Sequence, residues 1–248
     1  MVWFYFLHRK NPNLLQETYF PNNQFDWSVY IEENFQIIND EIVPYLNNNE
    51  NVLKPYFSTS LMNEFKKWKT FSFYFWGQPV SKHAINSCPN TISILEKIPH
   101  IVSASVSILE PNAEIKPHYG DTNAIYRCHL PLVVPSSLPH CGFRVGYEDR
   151  AWENGKLLIF NDAAYHKAWN YTNQRRVILL FDVLKPEYAG RKKWICALVR
   201  GNIIWQIVSK PFFKLNKSKN FFTKSMCLFF AWLIYFWLSF SKRKSVWL

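Results

Sequence analysis

Seven histidines stand in the 248-residue sequence, and three of them, His118, His129 and His166, lie at or beside segments that read as β-strands. A neutral imidazole is the commonest ligand for a divalent transition metal. Iron that must also bind a co-substrate and oxygen takes about three protein ligands on one face of its octahedron, usually two histidines and a carboxylate. Spacing alone leaves open the alternative that each is a core histidine satisfied by hydrogen bonds. His8, His83, His100 and His140 fall in loop-like or terminal contexts without a partner pattern. Arg127 and His129, two residues apart, share one face of any strand that contains them. Among carboxylates, Asp121 follows His118 by three residues, and Asp162 precedes His166 by four, a place more typical of a turn or capping residue.

The elements that would hold these side chains are short strands. Runs of β-forming residues at 102–109, 125–134, 156–160 and 176–183 alternate with turn-rich connections such as 110–117 and 152–155, the spacing of a sandwich or jelly roll. Upstream, Ile31, Phe35, Ile38, Ile42 and Leu46 recur near every fourth position and predict a helix with one buried face, capped by Asp26 and ended by the 47–51 stretch. Residues 69–76 read as an aromatic strand and 90–98 as a short helix after Pro89.

Composition sets the class. At 48% hydrophobic and 18% aromatic residues the chain is globular rather than disordered, and 14 prolines against 7 glycines favour a loop-rich β domain over a helical bundle. The formal charge of +11 would suggest a nucleic-acid partner, but all of the excess lies after residue 190, where 12 Lys and Arg meet no acid. A nearly neutral core whose aromatics are not interleaved with basic residues argues against nucleic-acid binding. Five cysteines, Cys88, Cys128, Cys141, Cys196 and Cys227, form no C-x-x-C pair and fit buried hydrophobes in a reducing compartment.

The tail carries 17 uncharged residues, 225–241, between Lys224 and Lys242, with Trp232, Tyr235 and Trp237 inside and Lys242, Arg243 and Lys244 closing it. Aromatic and basic residues are those that settle at a membrane interface, so the segment is expected to anchor the protein at a membrane, by spanning or by lying on it. The alternative is a helix packed on the domain or on a second subunit. More basic residues precede the apolar run than follow it, which places the catalytic domain on the cytosolic side. The opening MVWFYFL is too short for a signal-peptide core. Two segments follow: a domain over 1–188 with its motifs at 102–186, and a basic, hydrophobic extension over 189–248.

The motifs make the chemistry specific. HYGDTN at 118–123, YRCHL at 126–130, WENGKLLIFND at 152–162, H-x-x-W-N from His166 and RRVILLFDV at 175–183 resemble, in order, the aspartyl/asparaginyl β-hydroxylase family of iron(II)- and 2-oxoglutarate-dependent dioxygenases. KTFSFYFWG at 69–77 and CPNTISILEKIP at 88–99 fit the family's amino-terminal part, so the resemblance covers roughly residues 24–186.

The resemblance implies a mainly β, double-stranded β-helix (jelly roll, cupin-like) core with flanking amino-terminal helices, and Fe(II), 2-oxoglutarate and oxygen as participants. It implies His118 and His166 as metal ligands, and Arg176, with Arg175 as the adjacent alternative, as the fork that grips the distal carboxylate of 2-oxoglutarate. Ser107 matches a serine that helps to bind that carboxylate. Arg127 and His129 match the pair that contacts the metal-side carboxylate. Many dioxygenases read H-x-D, whereas this chain has Gly120 at the third position and Asp121 one later. A centre of two histidines and water is therefore expected, with Asp121 as the alternative third ligand or an orienting group. The family's name implies an Asp or Asn side chain in a peptide as substrate. A membrane-seeking tail makes a lipid acyl chain the alternative, and related enzymes add free amino acids. A reading from another class is a non-catalytic binding module tethered to a membrane.

Overall fold

The computed structural model describes residues 18–209 and 221–240. The MVWFYFL run, His8, the basic residues between 210 and 219, and Lys242, Arg243 and Lys244 lie outside the described residues.

The chain opens with β1 (Tyr19–Phe20), α1 (Asp26–Glu33) and α2 (Phe35–Asn48), then β2 (Lys54–Pro55), β3 (Trp68–Phe75), β4 (Gln78–Pro79), α3 (Lys82–Ser87) and α4 (Pro89–Leu95). Eight strands follow: β5 (Ile101–Leu109), β6 (Ala113–His118), β7 (Ile125–Val133), β8 (Cys141–Val145), β9 (Glu148–Arg150), β10 (Leu158–Phe160), β11 (His166–Asn170) and β12 (Arg176–Leu184). Two helices, α5 (Lys192–Ser209) and α6 (Phe221–Phe240), complete the described chain. All named strand pairs are antiparallel. The larger sheet runs β1-β10-β7-β12-β5-β3-β2 with β4 on β3, and the smaller runs β6-β11-β8-β9. From β5 to β12 the chain passes back and forth between the two sheets, which is the winding of a double-stranded β-helix, or jelly roll.

The alternation of side chains along each strand divides the larger sheet into two unlike faces. On β12, Val177, Leu179, Phe181 and Val183 pack outward against Ile31, Ile38, Ile42 and Leu46 of α1 and α2 and Ile92 and Leu95 of α4. Arg176, Ile178, Leu180 and Asp182 of the same strand point the other way, into a cavity between the sheets. On β5, Ala104, Val106 and Ile108 join the outer core, and Ser103, Ser105 and Ser107 line the cavity.

Three local expectations change. The 110–117 connection contains a strand, β6, although Pro117 cannot donate to a ladder. β6 is at the edge of the smaller sheet, and an edge strand tolerates that loss. The single helix expected from Asp26 is two helices broken at Asn34, whose side-chain amide donates to the Tyr30 carbonyl at 2.8 Å. Asp26 sits inside the first turn of α1 rather than capping it, and serves through the favourable field at a helix amino terminus.

The charge boundary near residue 188 is not a packing boundary. Ile195, Cys196, Val199 and Ile203 of α5 form one buried cluster with Trp76, Val102, Ile125 and Leu184 of the domain. The opposite side of α5 carries α6, and they meet closely at Gly201, where an added Cβ would stand 2.7 Å from the backbone nitrogen of Ala231 and 2.8 Å from the carbonyl oxygen of Cys227. Small residues at such a crossing let two helices approach backbone to backbone, a device common in apolar helix pairs. The outward side of α6 exposes Phe229, Trp232, Leu233, Phe236 and Trp237. α6 is the one helix among the described residues that is long and apolar enough to cross a membrane. All five cysteines are buried and free.

Candidate active site

His118 ends β6 and His166 begins β11, and the register of the smaller sheet sets them directly opposite each other. Their rings lie 4.2 Å apart between centroids. Each ring is oriented in the same way. Nδ1 of His118 lies 2.8 Å from the Lys116 carbonyl, and Nδ1 of His166 lies 2.8 Å from the Ala164 carbonyl. A carbonyl can only accept, so both Nδ1 atoms carry the proton and both Nε2 atoms keep a free lone pair. Burial holds the His118 imidazole at a pKa of about 4, and burial beside His118 holds that of His166 well below its usual value. Two neutral rings with adjacent lone pairs can ligate a divalent metal, and backbone carbonyls on the remote nitrogens are the usual way of fixing such ligands.

Arg176 is fully buried. Its Nε, Nη1 and Nη2 atoms have no hydrogen-bond partner, and its guanidinium lies over the Trp152 ring at 4.7 Å. Burial alone brings its pKa down to about 10. A buried charge without a partner is costly, of the order of several kcal/mol even after relaxation, so this fork is built for an anion that arrives from outside the chain. Ser107 accepts a hydrogen bond from Trp68 Nε1 at 3.0 Å, which leaves its own hydroxyl proton to donate. His129 accepts from Trp152 Nε1 at 3.3 Å on Nδ1, so its proton is on Nε2. His118, Asp121, Arg127, His129, His166 and Arg176 all line one cavity of about 250 Å³. Arg175, the adjacent alternative to Arg176, is on the outside, paired with Glu50 at 3.1 Å and with Asn47.

Arg127 is held rather than free. Its Nη1 donates to Asp162 at 2.6 Å and its Nε to Asp182 at 2.7 Å, and Asp121 lies farther off at 3.9 Å. Asp162, read from the sequence as a turn or capping residue, instead links the His118 and His166 end of the cavity to Arg127. It is fully buried, and its Oδ1 stands 3.9 Å from Nε2 of His166. Its other oxygen accepts from the Asp121 backbone N–H at 2.8 Å, and its carbonyl accepts from the Gly120 N–H at 2.7 Å. Burial pushes its carboxyl up to about 7, against the pull of Arg127. A Cβ on Gly120 would fall 1.8 Å from Asp162 Cγ, so the carboxylate of Asp162 occupies the space that a side chain at the third position of H-x-G would need. The signal for it was indirect: a glycine in that position requires a group from elsewhere to fill the gap. Among the described residues no group of three His, Cys, Asp or Glu side chains is arranged to hold a metal together.

Comparison with known proteins agrees with the motifs. Residues 32–186 match the aspartyl/asparaginyl beta-hydroxylase family. The chain is 34% identical to an ornithine lipid ester-linked acyl 2-hydroxylase of Rhizobium tropici, over 75% of this chain and 67% of that protein. It is 30% identical to the human aspartyl/asparaginyl beta-hydroxylase over 66% of this chain, and spans only 22% of that longer protein. A third relative, the aspartate beta-hydroxylase domain-containing protein 2 of Rattus norvegicus, is 29% identical over 73% of this chain and 55% of its own length.

Proposed function

We propose, from the premise that this chain belongs to the aspartyl/asparaginyl β-hydroxylase family, that its cavity carries out iron(II)- and 2-oxoglutarate-dependent hydroxylation. The observation that carries the proposal is Arg176, a fully buried guanidinium with three unpartnered nitrogens in the same cavity as two facing histidines. A non-catalytic module would have no use for so costly a charge.

His118 and His166 would hold the metal through Nε2, with the Lys116 and Ala164 carbonyls fixing both tautomers. Arg176 binds the distal carboxylate of 2-oxoglutarate through a charge-assisted fork, and Ser107 donates its hydroxyl to the same group. His129 offers its Nε2 proton to the carboxylate at the metal end. Arg127, locked by Asp162 and Asp182, contributes fixed positive charge beside the histidines and keeps the Asp162 carboxylate turned towards them. Bound iron supplies the oxidative chemistry: 2-oxoglutarate, oxygen and a substrate C–H bond give succinate, carbon dioxide and a C–OH group. Trp152, Phe143 and Phe160 pack round the co-substrate end of the cavity and exclude water.

Two substrate classes are in reach. The family's name and the human relative point to an Asp or Asn side chain in a peptide. The rhizobial relative and the exposed aromatic side of α6 point to the acyl chain of a membrane lipid, with the protein seated on the bilayer through 225–241. Purified full-length protein, dialysed without oxygen against Fe(II) and 2-oxoglutarate, is expected to retain one metal per chain and to release succinate when oxygen is admitted. Protein that keeps no metal, or gives no succinate above background with lipid extracts and peptide pools, would overturn the proposal and bring the binding module forward.

A further inference from the structure

Along α6 the exposed residues Phe229, Trp232, Leu233, Phe236, Trp237 and Phe240 recur every three or four positions and form one stripe, while the buried Cys227, Ala231 and Leu238 lie opposite. α5 covers that opposite side. Besides the close crossing at Gly201, the Trp194 ring meets Trp232 at 4.7 Å and Tyr235 at 5.7 Å, and Trp205 meets Phe230 at 6.4 Å. The two helices therefore run antiparallel and side by side over about 16 Å of α5. The far side of α5 is in turn packed on Trp76, Val102, Ala124, Ile125 and Leu184 of the jelly roll.

That packing decides how α6 can meet a bilayer. A crossing helix is surrounded by hydrocarbon over about 30 Å, and α6 could cross upright only by carrying α5, with Lys193 and Arg200, and the adjoining edge of the domain into the same layer. Laid flat, it buries only its stripe in one leaflet, and α5 stays outside with the domain. A second copy of the chain is a poorer cover for the stripe. From residue 191 onwards the sequence has 12 basic residues and no acid, so a self-pair sets like charge against like, whereas anionic headgroups are complementary.

Arg200 stands at the edge of the stripe, with its guanidinium over the Trp237 ring at 5.5 Å. Its Nη1 is buried without a hydrogen-bond partner. Burial draws its pKa down, and no carboxylate opposes that shift. A guanidinium fork can donate two parallel hydrogen bonds to a phosphate, and a ring stacked behind it holds the fork in place.

We infer that Arg200, backed by Trp237, is a binding site for the phosphate of an anionic phospholipid, and that this contact holds α6 flat in one leaflet, with both of its ends on the side of the catalytic domain. The site is separate from the cavity, leaves open what is oxidised there, and does not rest on the hydroxylase reading.

Binding and topology test this without turnover. The full chain is titrated with vesicles of digalactosyldiacylglycerol, a neutral lipid without phosphate, alone or with a minor share of phosphatidylglycerol, and followed by co-sedimentation. Phosphatidylglycerol should tighten binding at least tenfold. Arg200→Lys keeps the charge but loses the fork, and should give up most of that gain, as should Arg200→Met, with binding to the phosphate-free vesicles within about twofold of the parent. Lys193→Gln removes a charge from an exposed position of α5 and should cost less than Arg200→Lys. Both Arg200 variants should melt no lower than the parent, since Nη1 has no partner to lose. For topology, the chain is synthesised with inverted bacterial inner-membrane vesicles present and treated with carboxypeptidase Y, which should trim the carboxyl terminus without detergent.

An Arg200→Lys protein that binds the phosphatidylglycerol vesicles like the parent would overturn the phosphate site. A terminus protected until detergent is added would overturn the flat seat. Release of bound protein by millimolar inorganic phosphate, beyond that caused by chloride at equal ionic strength, would assign the site to a free anion and overturn the lipid. None of these results bears on the succinate test of the cavity, and a protein that releases no succinate can still pass all of them.

Discussion

The two faces of the larger sheet are made by the same strands and are held by opposite logics. Outward, Val177, Leu179, Phe181 and Val183 meet the helices in a dry aliphatic and aromatic core. Inward, Arg176 and Asp182 of that strand share a cavity with His129, Arg127 and three serines of β5. The outer face gains by removing apolar area from water, at about 25 cal/mol per Å². The inner face holds a buried guanidinium without a partner, which costs stability in the protein by itself. A strand that alternates between these environments lets a stable scaffold carry an unstable site one residue away. Substitutions on the two faces should therefore separate stability from chemistry.

The largest effect is expected on the inner side. His118→Ala or His166→Ala removes one of two facing imidazoles, and turnover should fall by at least about a thousandfold with metal retention lost, since among the described residues no group of three such side chains is arranged to hold a metal. Melting of the metal-free proteins should shift by only a few degrees. Metal analysis after gel filtration and succinate release check this, and a His166→Ala protein that keeps stoichiometric iron would break the assignment. On the outer face the signs reverse. Phe181→Ala empties a fully buried site and should destabilise by about 3–5 kcal/mol in denaturant unfolding. Its KM for 2-oxoglutarate in the folded protein should stay within about twofold, since the co-substrate gains no binding energy from that face.

How much of this was legible beforehand depends on whether a feature is local or tertiary. Strands β5, β7 and β12 announce themselves through β-branched runs, and their inward residues Ser107, Arg127, His129 and Arg176 followed from motif position. β6 was hidden by Pro117, because sequence does not say which strand will be an edge. The break at Asn34 was hidden because the apolar period continues across it. Asp162 was read as a turn residue because its partners, Gly120 and Arg127, are about 40 and 35 residues away and meet it only in the fold. The packing of α5 on the domain did leave a signal, the stripe Ile195, Val199 and Ile203 at helical spacing, but the excess of charge in the tail drew attention to a boundary instead.

Arg176 gives the most direct test of the opposition between scaffold and site. Arg176→Met keeps the length of the side chain and removes the charge. It should raise the KM for 2-oxoglutarate by about a hundredfold, as expected for losing a charge-assisted fork. The co-substrate-free protein should melt no lower than the parent, and higher if the new methionine packs on Trp152, because an unpaired buried charge has been replaced by an apolar group. The pair of measurements is thermal melting with and without 2-oxoglutarate, in the presence of metal. Parent protein should gain stability from the co-substrate and the variant should not. A variant that melts well below the parent would mean that Arg176 has an internal role and that the two faces are not so cleanly divided.

The smallest effect is expected at Asp121, and it refines the inner face by setting two neighbours against each other. The Asp121 carboxylate lies 3.9 Å from Arg127, and Arg127 is already paired with Asp162 and Asp182 at 2.6 and 2.7 Å, so Asp121→Ala removes only the weakest of three contacts. Iron affinity and turnover should change by less than about threefold, the scale of a partly exposed ion pair. One residue earlier, Gly120→Ala places a Cβ 1.8 Å from Asp162 Cγ and must displace that carboxylate from its position between Arg127 and His166. It should cost more turnover than Asp121→Ala, and the double variant Gly120→Ala with Asp162→Gly, which removes the clash and the carboxylate together, should recover fold stability but not activity. Should Asp121→Ala lose its iron while Gly120→Ala keeps it, the carboxylate that matters at the metal would be Asp121, and the space filled by Asp162 would be only a matter of packing.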